Sequence, residues 1–171
     1  MKITLKVATI LSWFNLIFWG LINGLLLLGA LSTMNMPALL IAVLMSAIPL
    51  NCYAALKLHR SIRNPLIPLN QQTPMGIRFV GFIALFFGVN SIGDGFALIK
   101  NPREFLDFLK DFYTKQAPEI AQMPAFKSIG LADMRTAGVI CLILGLCMAV
   151  NVVLNLRLLR WYLLLRKNDV A

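Results

Sequence analysis

Asp94 is the residue best placed for chemistry. It lies in the stretch Gly88–Val–Asn90–Ser91–Ile–Gly93–Asp94–Gly95, near the end of a long apolar run. A carboxylate inside such a run is costly and often functional, because hydrocarbon supplies neither water nor counter-ions. Asn90 precedes it by four positions, one helical turn away on the same face. Such a carboxylate can bind a cation or a proton or contact a polar headgroup; in a purely structural role it hydrogen-bonds a neighbouring helix or pairs with Arg135 or Lys100. Gly88 and Gly95 allow a neighbouring helix to approach closely. At 1.5 Å per residue, Asp94 is about 7–8 Å from the end of the run.

Amides form a second group. Asn15 and Asn23 are eight residues apart and face roughly the same way, with Trp19 between them. Together with Asn51, Asn151 and Asn155 they are candidates for a polar seam between helices. Amides at such places act chiefly as packing glue, each worth on the order of 1 kcal/mol. His59 is the only histidine and stands beside Lys57 and Arg60, which assigns it to the lipid-headgroup zone. One histidine cannot supply paired haem ligands, and a metal site needs several His, Cys or carboxylate ligands. Cys52, Cys141 and Cys147 all fall within apolar runs and form no CxxC pair. A thiol–disulfide relay therefore has no reactive centre. No metal, cofactor or catalytic residue is expected.

The elements that position these residues are membrane spans. The chain has 171 residues, 59% of them hydrophobic and 13% charged; soluble domains average about 25% charged. A spanning helix needs roughly 20 apolar residues. Four windows meet that length, at 7–31, 37–56, 79–99 and 136–156. The first exceeds the 7–15 residues of a signal-peptide core and reads as a span. The expected fold is all-α: one polytopic membrane domain over 1–171, with four transmembrane helices in an antiparallel bundle. Pro49 should kink the second helix, since it removes a backbone bond and crowds the preceding turn.

Charge sets the orientation. Ten cations (Lys2, Lys6, Lys57, Arg60, Arg63, Arg78, Arg157, Arg160, Arg166 and Lys167) flank one side of these runs, with Asp169 as their only acid. The remaining six cations and six acids lie on the other side, so the formal charge of +9 falls on one face. Cytoplasmic loops carry the Lys/Arg excess, which predicts an inner or plasma membrane protein with both termini cytoplasmic. The same geometry argues against a nucleic-acid partner, because the cations sit at membrane ends, where they meet anionic lipid headgroups. Arg157, Arg160, Arg166 and Lys167 are the headgroup-binding candidates, on a cytoplasmic interfacial helix end at 157–167 with Trp161 and Tyr162.

The outer link, about 100–135, predicts an extracytoplasmic amphipathic helix. Asn101 can cap it, Pro102 fits the first turn and Glu104 completes a capping box. Phe105, Phe108, Leu109 and Phe112 recur at helical spacing and are interaction-surface candidates. The sequence also matches itself. Asn51, Leu56, Lys57, Leu58 and Arg60 align with Asn151, Leu156, Arg157, Leu158 and Arg160 at an offset of 100, and Phe18–Trp19–Gly20 aligns with Phe86–Phe87–Gly88 at an offset of 68. This predicts a duplicated helical hairpin, its halves related as parallel repeats about an axis along the membrane normal.

No specific motif places the chain in a family. The absent cysteine pairs exclude quinone-coupled disulfide oxidants, and the lone histidine excludes two-haem membrane cytochromes. In length, topology and charge the chain resembles lipoprotein signal peptidases, which use two aspartates near the outer ends of spans three and four. Asp94 and Asp133 fall loosely in those places. The Asn–x–x–Asp context of those enzymes is absent, since Asn90 precedes Asp94 by four, and Asp133 reads as a helix cap. The expected function is therefore a small, non-catalytic accessory or interaction protein that binds membrane lipids and partner membrane proteins, or itself. The alternatives are a small oligomeric transporter or channel using Asp94 and Asn90 and, more remotely, a membrane aspartyl hydrolase.

Overall fold

A computed structural model describes residues 2–64, 66–70, 72–116 and 118–169; of Gln116 and residues 167–169 it describes the backbone only. All regular structure among these residues is α-helical: α1 (Lys2–Ser32), α2 (Met36–Met45), α3 (Ala47–Arg63), α4 (Thr73–Lys100), α5 (Pro102–Gln116), α6 (Pro118–Gln122), α7 (Pro124–Lys127) and α8 (Leu131–Asp169). Among the described residues four stretches are long and apolar enough to cross a membrane: Lys2–Ser32, Met36–Arg63, Thr73–Lys100 and Leu131–Arg166.

The distribution of polarity is inverted relative to a water-soluble protein. On α1, Ile3, Ile10, Ile17, Leu21, Leu25 and Leu28 are exposed, while Ser12, Asn15 and Asn23 are buried. On α8, Val139, Ile143, Leu146, Val150 and Val153 are exposed, while Asn151 and Asn155 are buried. Water would expel these apolar faces. Hydrocarbon accepts them, and it drives polar groups to pair between helices. The chain is a multi-pass membrane protein by this criterion.

Local sequence explains the joints. Met34 has φ 51°, a left-handed conformation. The N–H of Asn35 bonds the Ala30 carbonyl at 3.0 Å and that of Met34 bonds Leu31 at 3.3 Å, which closes α1 in a Schellman turn. Asn35 then caps α2, its Oδ1 accepting from the Ala38 N–H at 3.0 Å. The corner is thus made within three residues, and α1 packs back on α2 and α3. The expected kink is present as the break at Ser46 between α2 and α3. Pro49 has no N–H to offer the Met45 carbonyl. The Ser46 N–H is instead shared between Ala42 at 3.0 Å and Val43 at 3.2 Å.

Contacts divide the chain into two compact units, Met1–Gly88 with Cys147–Ala171, and Val89–Leu146. The first unit has two core clusters. One gathers Ala8, Leu58, Leu69, Ile77, Leu158 and Leu159; the other gathers Ile48, Ala84, Met148 and Val152. In the second unit, α4 and α8 touch backbone to backbone. A Cβ on Gly95 would lie 2.7 Å from the Leu142 nitrogen, and one on Gly138 would lie 2.9 Å from the Gly95 oxygen. The helix expected in the link is α5, which ends before Pro118; α6 and α7 follow it, since Pro118 and Pro124 each restart the chain at a first turn. Tyr113 and Phe126 tie α5 to α7 with ring centroids 5.1 Å apart.

The internal match extends into the first unit's packing. Residues 51–60 and 151–160 show the same order of buried, half-buried and exposed positions throughout. For α1 and α4 the offset that matches burial is 69, one more than the aromatic match suggested: Ala8, Ser12 and Asn15 correspond to Ile77, Gly81 and Ala84, of which only the glycine lacks a side chain to bury. One residue of slip turns a helix by about 100°, so an offset of 68 would point the inner face outward. Contacts are exchanged accordingly. Ser12 meets Asn151 at 2.9 Å, and Gly81 meets Asn51, whose Oδ1 is 3.1 Å from where a Cβ would sit. Ser12 and Gly81 thus stand at matched places, opposite Asn151 and Asn51 respectively.

Candidate functional site: a buried amide network and a basic groove

The inner face of α1 is written every three or four residues: Thr9, Ser12, Asn15, Trp19 and Asn23. This spacing keeps one stripe facing α3 and α8. Ser12 donates to Asn151 Oδ1 at 2.9 Å. Asn155 Nδ2 donates to the same oxygen at 3.2 Å and to Ser12 Oγ at 3.4 Å. Asn151 Nδ2 donates to Cys52 Sγ at 3.5 Å. Three spanning helices are thereby joined through one amide. At the other end of the stripe, Asn23 Nδ2 donates to Ser46 Oγ at 2.8 Å, at the break between α2 and α3.

His59 continues the network toward the basic end of the helices. Its ring is 2% exposed, so it turns inward rather than toward headgroups. Nε2 is 2.9 Å from Asn155 Oδ1 and Nδ1 is 3.3 Å from Thr9 Oγ1. Because that amide oxygen can only accept, Nε2 carries a hydrogen. Arg63 Nη2 donates to Thr9 Oγ1 at 3.1 Å, and Thr9 donates to the Leu5 carbonyl at 2.7 Å. A continuous polar line therefore runs from Arg63 through Thr9, His59, Asn155 and Ser12 to Asn151 and Cys52.

Some buried polar atoms stand outside this line. Asn51 is 1% exposed, and neither its Oδ1 nor its Nδ2 has a hydrogen-bond partner. Asn15 Oδ1, Asn23 Oδ1 and Trp19 Nε1 are likewise unpaired. The reason at Asn51 is its repeat position. Asn151 faces the Ser12 hydroxyl, whereas Asn51 faces Gly81, which has none.

Beside the network is a groove of about 500 Å³ between α1 and α3. Thr9, Trp13 and Leu16 form one wall, and Tyr53, Leu56, Lys57, Arg60 and Arg63 the other. Lys57 Nζ lies over the Tyr53 ring at 4.6 Å from its centroid, a cation–π contact.

Asn15 and Asn23 are buried in the seam with Asn51, Asn151 and Asn155. Asp94 and Asn90 are exposed on α4 in the second unit, outside the seam. Asp133 lies in the first turn of α8, where its Oδ2 accepts from the Gly130 N–H at 2.8 Å, a capping role. On α5, Phe108 and Phe112 are exposed and stacked with centroids 6.2 Å apart, while Phe105 and Leu109 are half-buried. Leu106, which the spacing did not single out, is buried, as is Pro102 in the first turn. Arg157, Arg160 and Arg166 are exposed along α8; the Lys167 side chain lies outside the described residues. Tyr162 accepts from the Leu69 N–H at 3.2 Å, so this aromatic also pins the link after α3.

Sequence reasoning found the five amides, because Asn inside an apolar run is conspicuous. It missed Thr9 and Ser12, whose hydroxyls are common in spanning helices and acquire meaning only opposite Asn151 and His59. Among the described residues no group of His, Cys, Asp and Glu could hold a metal ion. No family model, curated protein or solved structure matches the chain.

Proposed function

We propose that this is a non-catalytic multi-pass membrane protein that works by binding another transmembrane chain, a second copy in the simplest case. Its four spans form an antiparallel bundle, and both termini face the cytoplasm of an inner or plasma membrane, where the Lys/Arg excess is retained. Its outer link carries α5 as an amphipathic helix.

One observation carries the reading. Asp94 is exposed on an apolar spanning helix, beside Asn90 and Gly93 and among the outward-facing Phe86, Val89 and Phe96. Facing lipid, a carboxylate at this depth costs up to roughly 3 kcal/mol. A second helix laid over Gly93, where nothing lies within 4 Å of an added Cβ, removes that cost by pairing the carboxylate away from hydrocarbon. Small residues beside a polar group are what close helix association in membranes requires.

The test is energy transfer between differently labelled copies in lipid nanodiscs and vesicles, joined to crosslinking in native membranes. The wild type associates, and Asp94→Leu and Gly93→Leu abolish association while helix content is retained. A wild-type protein that stays monomeric and captures no partner, or an Asp94→Leu variant that associates normally, overturns the proposal. The same exposed carboxylate supports a second reading, an oligomeric transporter with Asp94 and Asn90 on its path. That reading predicts loss of an ion flux in Asp94→Asn with association intact.

A further inference from the structure

We infer that the groove between α1 and α3 is a binding site for an anionic phospholipid, whose phosphate meets Lys57, Arg60 and Arg63 and whose acyl chain lies along Trp13, Leu16 and Leu56. The site belongs to the first unit and is independent of the Asp94 face.

Charge is the first argument. Lys57, Arg60 and Arg63 recur every third residue on α3 and all line the same groove. Along the helix they span about 9 Å at 1.5 Å per residue, a length that suits the phosphate and linked polar group of one lipid head. The first unit contains one acid in its sequence, Asp169, against all ten cations of the basic face. The one salt bridge among the described residues, Lys115 to Asp111 at 2.7 Å, belongs to α5. Among the described residues the triad therefore has no protein counter-ion, and the counter-ion that the membrane surface provides is a lipid phosphate.

Order along the groove is the second argument. Tyr53 and Leu56 precede Lys57, and Arg60 and Arg63 follow it, so the α3 wall changes from apolar to cationic in the direction of the basic end. On the facing wall Leu16 and Trp13 are level with the apolar part, since α1 runs the opposite way: Asn23 meets Ser46 and Thr9 meets His59. A molecule with an anionic head and a hydrocarbon tail matches this order. Free phosphate matches only half of it.

Preorganisation is the third. Arg63 is held by Thr9 at 3.1 Å and Lys57 by the Tyr53 ring at 4.6 Å, so two of the three cations are already turned toward the groove. The second hairpin shows how specific this is. Thr9, His59 and Arg63 correspond to Arg78, Leu159 and Leu163, which cannot build the same anchor.

Trp13 reports occupancy. In a Trp19→Phe/Trp161→Phe protein it is the sole tryptophan, and acyl-brominated lipids quench it on contact. The protein is placed in phosphatidylcholine vesicles carrying a minor fraction of either brominated phosphatidylglycerol or brominated phosphatidylcholine. We expect the anionic lipid to quench at lower mole fraction by about five-fold per engaged cation. The preference should fall about twenty-five-fold in Lys57→Gln/Arg60→Gln, to the roughly five-fold that Arg63 alone supplies, while Lys2→Gln/Lys6→Gln retains it. Native mass spectrometry of the otherwise unaltered chain, counting retained phosphatidylglycerol against phosphatidylcholine, gives the same comparison without tryptophan changes. Equal quenching by the two lipids overturns the inference, as does a preference undiminished in Lys57→Gln/Arg60→Gln. Displacement by inorganic phosphate beyond that caused by sodium chloride of equal ionic strength also overturns it, by assigning the groove to the free anion.

Discussion

Asn51 and Asn151 occupy matched places in the two hairpins, yet replacing each with leucine should move stability in opposite directions. Leucine is close to asparagine in size, so the comparison isolates polarity. Asn151→Leu removes the acceptor of Ser12 at 2.9 Å and of Asn155 at 3.2 Å, and the donor to Cys52 at 3.5 Å. Hydrogen bonds between membrane helices average about 0.6 kcal/mol, so the two shorter bonds give a loss of roughly 1–2 kcal/mol. Asn51→Leu removes an amide that is buried with neither atom paired. An unmet buried polar group costs about 1–3 kcal/mol. Part of the gain is offset because a leucine methyl, bulkier than the amide oxygen, must fit beside Gly81, where Oδ1 lies 3.1 Å from the place a Cβ would occupy. The expected outcome at Asn51 is therefore neutral to about 1 kcal/mol stabilising. The variants should differ by about 2 kcal/mol, roughly thirty-fold in the folding constant. Reversible unfolding in mixed micelles with increasing dodecyl sulfate, followed by helix circular dichroism, measures the difference. If both substitutions destabilise equally, the assignment of Asn51 as unpaired and Asn151 as the junction is refuted.

The second hairpin supplies the control for His59 and Asn155, because their counterparts are Leu159 and Ala55. His59→Leu alone and Asn155→Ala alone should each destabilise by about 1–2 kcal/mol, since each leaves a buried partner unmet, and the double variant should cost less than the sum of the two; strict additivity in the cycle would count against the 2.9 Å bond. In the second unit, Gly95→Ala drives a Cβ to 2.7 Å from the Leu142 nitrogen, so the helix backbones must separate. A loss of about 1–3 kcal/mol is expected on thermal unfolding in detergent, against no loss for Gly24→Ala, where nothing lies within 4 Å of the added atom.

The spans were legible because hydrophobicity over roughly 20 residues is a one-dimensional property. The four windows fall inside the four long stretches, which extend further because polar residues at helix ends, such as Thr73 and Arg135, continue the backbone spiral beyond the apolar run. Pro49 announced its kink, since the lost bond to Met45 is local. The Asx cap at Asn35 and the left-handed Met34 are also local, but nothing in the residue type of Met34 signals that conformation. The seam was half legible. Asparagine marks it, while serine and threonine do not, and the inward turn of His59 depends on Asn155, ninety-six positions away. The register of α1 on α4 was misjudged by one residue because bulky aromatics mark exposed as readily as buried positions in a membrane helix. The inward residues Ala8, Ser12, Ile77 and Gly81 are the ones that fix it.

The two hairpins match in burial over 51–60 and 151–160, so a difference between matched positions marks a polar group that one half has and the other lacks. The common parts, Leu58 with Leu158 and Ile48 with Met148, lie in the apolar clusters and serve packing. The differences concentrate in polar residues on one side: Ser12 against Gly81, Asn15 against Ala84, His59 against Leu159 and Arg63 against Leu163. A seam needed only to hold helices together has no reason to be lopsided, because two equivalent amide pairs would do so better than one. The lopsidedness places the Thr9–His59–Arg63 anchor, the groove and the amide junction on the same pair of helices, α1 and α3, with Asn151 and Asn155 reaching across from α8. Substitutions that restore symmetry, such as Gly81→Ser, should therefore change packing alone, whereas His59→Leu should disturb packing and lipid preference together.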